Sequence, residues 1–571
     1  MTTAHPPQPP IDPRLVPPHP PALHPHVAPQ PAVRPAPQPT AWERRWPGAA
    51  GPARPVVLGT VAVAAGVSAS VVPLDRPGLG WLVATLAGAA ALGTAAVVRP
   101  RPGPPPTAPA PPAPGPAAPA TGTHPAQPQV GVPGESSATA GPRAAVRPGA
   151  TGASGRAARL AWAVATVALV GVGTVRAANW LFALCLLAAV GTASLAVAGG
   201  RTPLGLLTGA VLPPIATLRA LPWATRGLPR PRADGPSIGR LLASLGVTAV
   251  LLLLFGLLFS SADAVFADLV AAALPDVSTP GVFGWVVRLL LVGAVLLGGA
   301  YLLAAPPDLE LRARPARAVR RLEWVLPLAL LDALFAAFVL VQLTVLFGGS
   351  GHVLRTAGLT YAEYARGGFW QLLAVSALTL LVIAGAMRWA PRHTRADRTL
   401  IRLLIGGLTV LSLVIVASAL YRMRVYTDAY GATRLRLVVA TVELWLGLLF
   451  GLVAVATVRL RGAWLPRLVL GAGVVALLGL AVVNPDRLIA DWNVDRWQRI
   501  DRLDVDYLSR LSADAVPALD RLPEPMRSCA LRDIAGQLPE DGWRAANVGR
   551  AQARAVFAAD RAAEVATAPC P

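Results

Sequence analysis

The chain has 571 residues, of which 54% are hydrophobic, and a mean hydropathy of +0.53, which is too apolar for an ordinary soluble protein. Its net charge of +21 comes from 51 basic residues, all of them arginine. The arginines lie mostly in short loops between apolar runs, which is typical of multi-pass membrane proteins, so we expect no nucleic-acid partner. Arginine in place of lysine, with abundant Ala, Gly and Pro, indicates a GC-rich bacterial genome of the actinobacterial type.

The N-terminal part alternates between low-complexity and apolar segments. Residues 1–54 are rich in Pro, Ala and His and contain no apolar stretch, so we predict a disordered region without a cleavable signal peptide. Two spans, at 55–73 and 79–98, form a transmembrane hairpin. Residues 99–156 are again dense in Pro and Ala, and we predict a disordered linker that separates the hairpin from the rest.

A multi-span core follows at 157–484, because its apolar runs repeatedly reach the roughly 20 residues that a bilayer core of about 30 Å requires. One run, 204–218, is short and contains Pro213 and Pro214, which favours an interfacial or re-entrant element over a span. The predicted spans of the core are 158–175, 178–198, 240–260, 281–305, 324–347, 369–390, 400–421, 436–458 and 464–483.

The distribution of arginine predicts the orientation of these spans. If 204–218 does not cross, the inner segments of the core hold 19 arginines and its outer loops hold 5. A crossing would invert this distribution and violate the positive-inside rule. The fold class is therefore all-α, a polytopic bundle of about eleven spans in the cell membrane, with the N-terminus cytoplasmic and the C-terminal tail extracytoplasmic.

The tail, 485–571, carries 14 acidic and 12 basic residues, and its apolar positions recur at helical spacing. We predict a small helical domain in which Asp504 or Asp506 caps one short helix and Ser512 caps another. Cys529 and Cys570 lie in this outer tail, where a disulfide can form, although two free thiols are the alternative. Cys185 lies in a span and is expected to be an inert packing residue.

Three ionisable residues fall inside spans, where a charge is costly and marks a functional candidate. They are Arg288, Asp332 and Glu443. Arg288 and Glu443 lie at similar depth from the outer end, which suggests an ion pair between them. The three groups either hold helices together or form a substrate or proton path.

Outer loops supply a second set of candidates. The segment 260–270 carries Asp263 and Asp268 without a basic residue, which suits a metal-dependent transferase, but its apolar stripe favours an interfacial amphipathic helix. The segment 421–436 carries more arginine than an outer loop should. Its arginines are expected to meet an anionic lipid headgroup, an anionic ligand or the acidic tail, or to pair with nearby carboxylates; the candidates are Arg422, Arg424, Asp428 and Arg434.

The sequence contains no GxxxxGK[ST], CxxC or HExxH motif, so we expect no catalytic residue, cofactor or metal site. Taken together, the segments SSADAVFADL, YAEYARGGFWQLL, RVYTDAYGATRLR, NPDRLIADWNVDR and LDVDYLSRLSADAVPAL resemble the bacterial membrane proteins of the domain of unknown function 4173 family. The resemblance covers roughly residues 160–520. It implies a multi-pass membrane protein and carries no established activity or catalytic residue.

These observations favour a non-enzymatic membrane protein that acts as a partner-binding or sensing component of the cell envelope. Its expected partners are the lipid bilayer, an anionic lipid and another envelope protein. The first alternative is a secondary transporter or channel that uses the charged residues inside the spans. The second is a membrane-embedded transferase that acts on a lipid-linked substrate.

Overall fold

The computed structural model describes residues 40, 46–49, 51–98, 153–200, 202–228, 279–309, 319–347, 369–538 and 540–560, together with scattered positions between 248 and 266. The predicted linker and the predicted span at 240–260 lie almost entirely outside these residues.

The described chain is helical and contains no strand. Ten of its helices are long and apolar enough to cross a bilayer, and one apolar helix of 17 residues is shorter, so the prediction of an all-α polytopic bundle is confirmed. The helices of the bundle are α1 (Pro55–Val71), α2 (Leu79–Val97), α3 (Ala153–Val175), α4 (Asn179–Ala198), α5 (Pro203–Gly227), α6 (Thr279–Ala304), α7 (Arg321–Phe347), α8 (Phe369–Trp389), α9 (Arg395–Tyr430), α10 (Arg434–Arg459) and α11 (Leu465–Val483).

Local sequence signals define several helix ends. Thr394 and Asp397 form a capping box that starts α9, with the Asp397 backbone N 3.1 Å from the Thr394 hydroxyl. Pro55 opens α1, where its missing N–H costs nothing. Gly199 and Gly431 end α4 and α9 with positive φ angles of 79° and 84°, which glycine adopts without strain.

Neighbouring helices run antiparallel. The start of one helix therefore lies beside the end of the next, and these termini form two opposite ends of the bundle. At one end the start of α1 meets the end of α6, where the Trp46 indole donates to the Ala305 carbonyl at 2.8 Å. The Arg467 guanidinium at the start of α11 donates to Gly200 O after α4 at 3.0 Å. We call this the basic end, because the arginines near the starts of α7, α9 and α11 lie there. The opposite end carries the residues after 484 and is called the tail end.

Helix α5 is continuous where an interruption was predicted, and its predicted failure to cross the membrane stays a prediction. Pro213 and Pro214 do not break it, so the predicted interruption is wrong. Although α5 is long and apolar enough to span, both of its ends touch the basic end: the Gly205 Cα packs against the Leu309 carbonyl, and Trp223 O accepts a hydrogen bond from Ala53 N at 3.2 Å. Both ends of the helix therefore lie at the basic end, while its middle contacts α6 farther from that end, where the Thr217 hydroxyl donates to Ala294 O at 3.1 Å.

The bundle consists of two groups of helices. Helices α1 to α6 pack on one another, and α7 to α10 form the second group. Helix α11 joins the groups, because it packs on α10 and also on α3 and α4. The core of the first group includes Ala216 and Leu302, and that of the second includes Ile405 and Phe450, all of them fully buried.

The boundary predicted for the disordered N-terminal region, 1–54, is too late in the chain. Trp46 is 1% exposed and packs against Tyr301, with ring centroids 5.8 Å apart, while the Arg219 guanidinium lies 4.8 Å from its ring centroid. A single large aromatic ring thus ties the segment before α1 to α5 and α6. Hydropathy could not detect this contact because the residues around Trp46 include charged residues, prolines and glycines and form no apolar run.

The tail forms a helical domain with its own buried core, which includes Ala515, Val516 and Leu519. Asp504 caps its second helix by accepting from Tyr507 N at 2.9 Å, whereas Ser512 precedes a 3₁₀ turn without a side-chain cap. Its helices are α12 (Pro485–Ile500), α13 (Val505–Ser509), α14 (Val516–Leu519), α15 (Met526–Gln537) and α16 (Val548–Asp560), with 3₁₀ turns at Ala513–Ala515 and Trp543–Ala545.

Candidate functional site

The tail is attached to the bundle by a buried ion pair. Asp486 is completely buried, and the guanidinium of Arg434 donates to both of its carboxylate oxygens, at 2.9 and 2.6 Å. Ser512 N and the Trp180 indole also donate to Asp486, at 2.9 and 3.2 Å. Burial raises the pKa of Asp486, but the hydrogen bonds and charge of Arg434 outweigh it and hold the pKa below its usual range.

A second aspartate of the tail caps a helix of the bundle. The carboxylate of Asp514 accepts hydrogen bonds from Ala177 N at 2.7 Å and Ala178 N at 3.1 Å, immediately before α4. The N-terminus of a helix attracts negative charge, and α4 has no side-chain cap of its own. Burial raises the pKa of Asp514 above its usual range, and the nearby charge of Asp486 raises it further.

Other tail residues satisfy backbone groups at the remaining helix ends. The Tyr507 hydroxyl accepts from the backbone N of Arg434 at 2.7 Å, at the start of α10. Arg496 donates to the carbonyls of Asp428 and Ala429 at the end of α9, at 3.0 and 2.5 Å. Asn547 donates to Gly173 O and Arg176 O at the end of α3. The tail therefore satisfies backbone groups at the ends of three helices of the bundle, α3, α9 and α10.

The hairpin α1–α2 is joined to the last part of the tail through Asp541, whose carboxylate is 1% exposed. Arg550 and Arg554 donate to it, each at 2.9 Å, and Arg76 lies 3.7 Å away. Arg550 also donates to the Pro77 carbonyl in the turn of the hairpin at 2.9 Å. The turn and the tail thus share one charged cluster.

A cleft of about 720 Å³ opens between the tail and the tail end of the bundle. The bundle contributes Asn179, which is exposed, and the tail contributes the exposed side chains of Arg510 and Gln537. Among the residues that the structure describes, Arg510 pairs with Asp506, another exposed group. Such pairs are weak, so Arg510 is available to a ligand. The charged lining residues are Asp75, Arg76, Arg434, Arg510, Asp533 and Arg550.

The predicted outer loop 421–436 is mostly helix, because α9 continues to Tyr430 and α10 begins at Arg434. Arg422 donates to the Gln342 side chain, and Asp428 meets Arg496 through its carbonyl. Arg434 belongs to the site through Asp486. Arg424 is exposed and has no hydrogen-bond or ion-pair partner among the described residues.

The three intramembrane candidates do not form one site. Arg288 on α6 donates to Ala69 O of α1 at 3.1 Å. Asp332 on α7 faces Gly407 of α9, with its carboxylate 3.8 Å from an ideal Cβ there. Glu443 on α10 is 1% exposed, and neither of its carboxylate oxygens has a partner in the described structure. The suggested ion pair between Arg288 and Glu443 is therefore wrong.

The remaining candidates are separate from the cleft. Asp263 is exposed and accepts from Phe266 N at 2.9 Å, whereas Asp268 lies outside the described residues. Cys185 is buried and free. Cys529 is disulfide-bonded, but Cys570 lies outside the described residues, so their pairing stays a prediction. The described residues contain no cluster of three or more His, Cys, Asp or Glu that could hold a metal ion.

Sequence reasoning missed Asp486, Asp514 and Asp541, the buried acids that hold the tail in place. A signal existed for Asp486, which follows Asn484 and Pro485 directly after the last span. An acidic residue in the first turn of a helix is stabilised by the helix dipole, so this position indicates a helix start but does not identify Arg434 as the partner. Asp514 and Asp541 sit among other tail acids, and no spacing distinguishes them.

The family described as "Domain of unknown function (DUF4153)" matches residues 164–522, more than half of the chain. The match covers nearly the same residues as the resemblance noted above, but under a different label, and the label 4173 is not confirmed. No curated protein and no solved structure matches the chain. The hairpin α1–α2 and the end of the tail, which meet at Asp541, both lie outside the matched residues.

Proposed function

The chain belongs to the family described as "Domain of unknown function (DUF4153)", and we propose that it is a non-enzymatic sensing component of the cell envelope that binds a small polar ligand with an acidic group. The observation that carries this proposal is the cleft of about 720 Å³, whose walls come from both the tail and the bundle. Its volume is in the range of small-molecule sites.

The orientation follows from charge. Arginines cluster at the basic end, including Arg392, Arg395 and Arg398 before and within the start of α9. By the positive-inside rule this end is cytoplasmic, which places the N-terminus inside and the tail outside. The cleft then opens to the extracytoplasmic side of the cell membrane, where a signal from outside would reach it.

The ligand chemistry follows from the exposed groups of the cleft. The guanidinium of Arg510 suits a carboxylate or a phosphate. Asn179 and Gln537 offer amide donors and acceptors from opposite walls, which suits hydroxyl or amide groups of a ligand. A ligand held by both walls would strengthen the contact between the tail and the N-terminus of α4. Binding would therefore change the stability of the docked tail, as sensing requires.

A transporter or channel remains the alternative because of Glu443, a fully buried carboxylate without a partner in the described structure. A group of this kind marks ion or proton pathways in membrane proteins. The observation is weaker than the cleft, since Arg288 donates to the backbone of α1 and Asp332 faces α9, and neither pairs with Glu443 in the described structure. The described residues give less support to a transferase, because the carboxylate of Asp263 already accepts a hydrogen bond from Phe266 N.

The test is thermal unfolding of the purified full-length protein in detergent, with and without L-glutamate, D-glucuronate and inorganic phosphate. At least one of these probes should raise the unfolding temperature, and R510A should abolish the shift. R544A is the matched control, because Arg544 is exposed on the same tail but does not line the cleft. No shift with any probe, or an equal loss in R510A and R544A, would count against the proposal.

A further inference from the structure

A second pocket, separate from the cleft, lies between α9, α10 and α12. It is a slot of about 200 Å³. Its walls are mainly apolar, and only its rim carries arginine. The residues that line it include Leu420, Arg424, Arg436, Ala440, Ile489 and Trp492.

The slot lies where the outer headgroups of a membrane would be. Helix α9 has 36 residues, which at 1.5 Å per residue gives roughly 54 Å, well beyond a hydrocarbon core of about 30 Å. Its last charged residue near the basic end is Arg402, and about 20 apolar residues later the chain reaches Arg422. Leu420 and Arg424 therefore flank the outer boundary of the hydrocarbon region.

The rim of the slot carries two arginines, and no acidic side chain of the described part of the chain forms an ion pair with either. The side chain of Arg424 is exposed and has no partner among the described residues. The guanidinium of Arg436 stacks on the Tyr426 ring at 4.2 Å from the centroid and donates to a carbonyl, so its charge is not neutralised either. Burial lowers the pKa of nearby Arg496, and the charges of Arg502, Arg436 and Arg499 lower it further.

The slot also contains a donor without an acceptor. The indole N–H of Trp492 is buried, and nothing in the described structure accepts its hydrogen bond. A buried donor that stays unpaired costs free energy. An oxygen of a bound molecule would satisfy it.

We propose that this slot binds one anionic phospholipid of the outer leaflet, with part of an acyl chain between Leu420, Ala440 and Ile489 and the phosphate at Arg424. The ester region, which lies between the phosphate and the chain, supplies the acceptor for Trp492. The apolar walls, the free cation at the rim and the position at the membrane boundary all match a lipid. This site does not depend on the ligand proposed for the cleft.

The test is native mass spectrometry of the full-length protein in detergent, titrated with phosphatidylglycerol or phosphatidylcholine. Phosphatidylglycerol should bind more tightly, and R424Q should weaken it about fivefold or more, since it removes one charge-assisted contact. A440F fills the slot and should weaken it to a similar degree. The matched control R544Q removes an exposed arginine that lies in the tail and does not line the slot, so it should leave the affinity unchanged.

Several results would overturn the proposal. Equal weakening by R424Q and R544Q would indicate general attraction to a basic surface. Unchanged binding in A440F would show that no chain enters the slot. Competition by inorganic phosphate at the concentration of the lipid would indicate an anion site rather than a lipid site. Equal affinity for both lipids would remove the role of Arg424.

Discussion

Arg434, the first residue of α10, and Asp486, the second residue of α12, form an ion pair with two hydrogen bonds of 2.9 and 2.6 Å. The pair joins the start of a membrane helix to the tail, and the same aspartate receives Ser512 N and the Trp180 indole. One carboxylate therefore connects α4, α10 and two segments of the tail.

Removal of the cation should release the tail. R434A leaves Asp486 fully buried without its charge partner, and we expect a loss of about 3 kcal/mol in the free energy of tail docking. The protease susceptibility of the tail in increasing denaturant measures it. D506N, which breaks the exposed pair with Arg510, should change the free energy by less than about 0.5 kcal/mol. A similar effect of both variants would contradict the role given to the buried pair.

The attachment should depend on pH through Asp514. Because burial raises the pKa of Asp514 above its ordinary 3.8, the folded state holds this proton more tightly than the unfolded state. Docking should therefore weaken as the pH rises from 3.8 through the raised value, and stay constant above it. The pKa of Asp486 is lowered, so its contribution to docking is lost in the opposite direction, as the pH falls below 3.8.

D514N should flatten this pH dependence while it keeps the cap on α4, because an amide oxygen still accepts from Ala177 N and Ala178 N. D514A should lose the cap and destabilise docking by about 1 kcal/mol or more. Proteolysis of the tail between pH 4 and pH 8 measures both effects. An unaltered pH profile in D514N would rule out Asp514 as its source.

The hairpin α1–α2 should depend on Arg550, whose side chain is 6% exposed and donates to Asp541 and to Pro77 O. R550M leaves the buried Asp541 with weaker partners, and we expect a cost of about 2 to 3 kcal/mol. R554M, which removes a partner of the same aspartate with 34% exposure, should cost less than about 1 kcal/mol. Equal costs would mean that burial of the arginine does not set the energy of this cluster.

Two glycines of the tail provide a test of packing at the junction. A Cβ at Gly549 would overlap the Asp514 carboxylate, so G549A should push Asp514 away from α4 and destabilise docking by about 1 to 3 kcal/mol. Gly536, inside α15, has open space around it. G536A should therefore stabilise the tail by about 0.5 to 1 kcal/mol. The sign of the two changes in unfolding free energy decides whether the contact at Gly549 is real.

The spans could be predicted because a helix that crosses the bilayer needs a run of apolar residues of fixed length, and such runs are visible in the sequence. Where a helix continues beyond the bilayer, its sequence is no longer an apolar run, so hydropathy does not show where the helix ends. Helix α9 ends at Tyr430, nine residues after the predicted end at 421, since its last turns are polar and outside the hydrocarbon. Pro213 and Pro214 predict a break in α5, because proline disfavours the interior of a helix. Packing of α5 against α6 overrides this local preference.

The site could be predicted only in part. Arg434 stood out because an outer arginine departs from the charge bias of the chain. Its partner Asp486, and the caps made by Asp514 and Arg496, join residues 50 to more than 300 positions apart, and the sequence spacing contains no information about such pairs. Local signals, by contrast, placed Asp504 correctly, since a cap acts within one helical turn.

A cleft that receives an extracellular ligand requires the tail end to face outward. R510C, on the tail beside the cleft, and R398C, at the basic end, can each be labelled in intact cells with a membrane-impermeant maleimide, with the parent chain as the measure of background. We predict that R510C is labelled in intact cells and R398C only after lysis. The reverse pattern would place the tail and its cleft in the cytoplasm and contradict the proposed function.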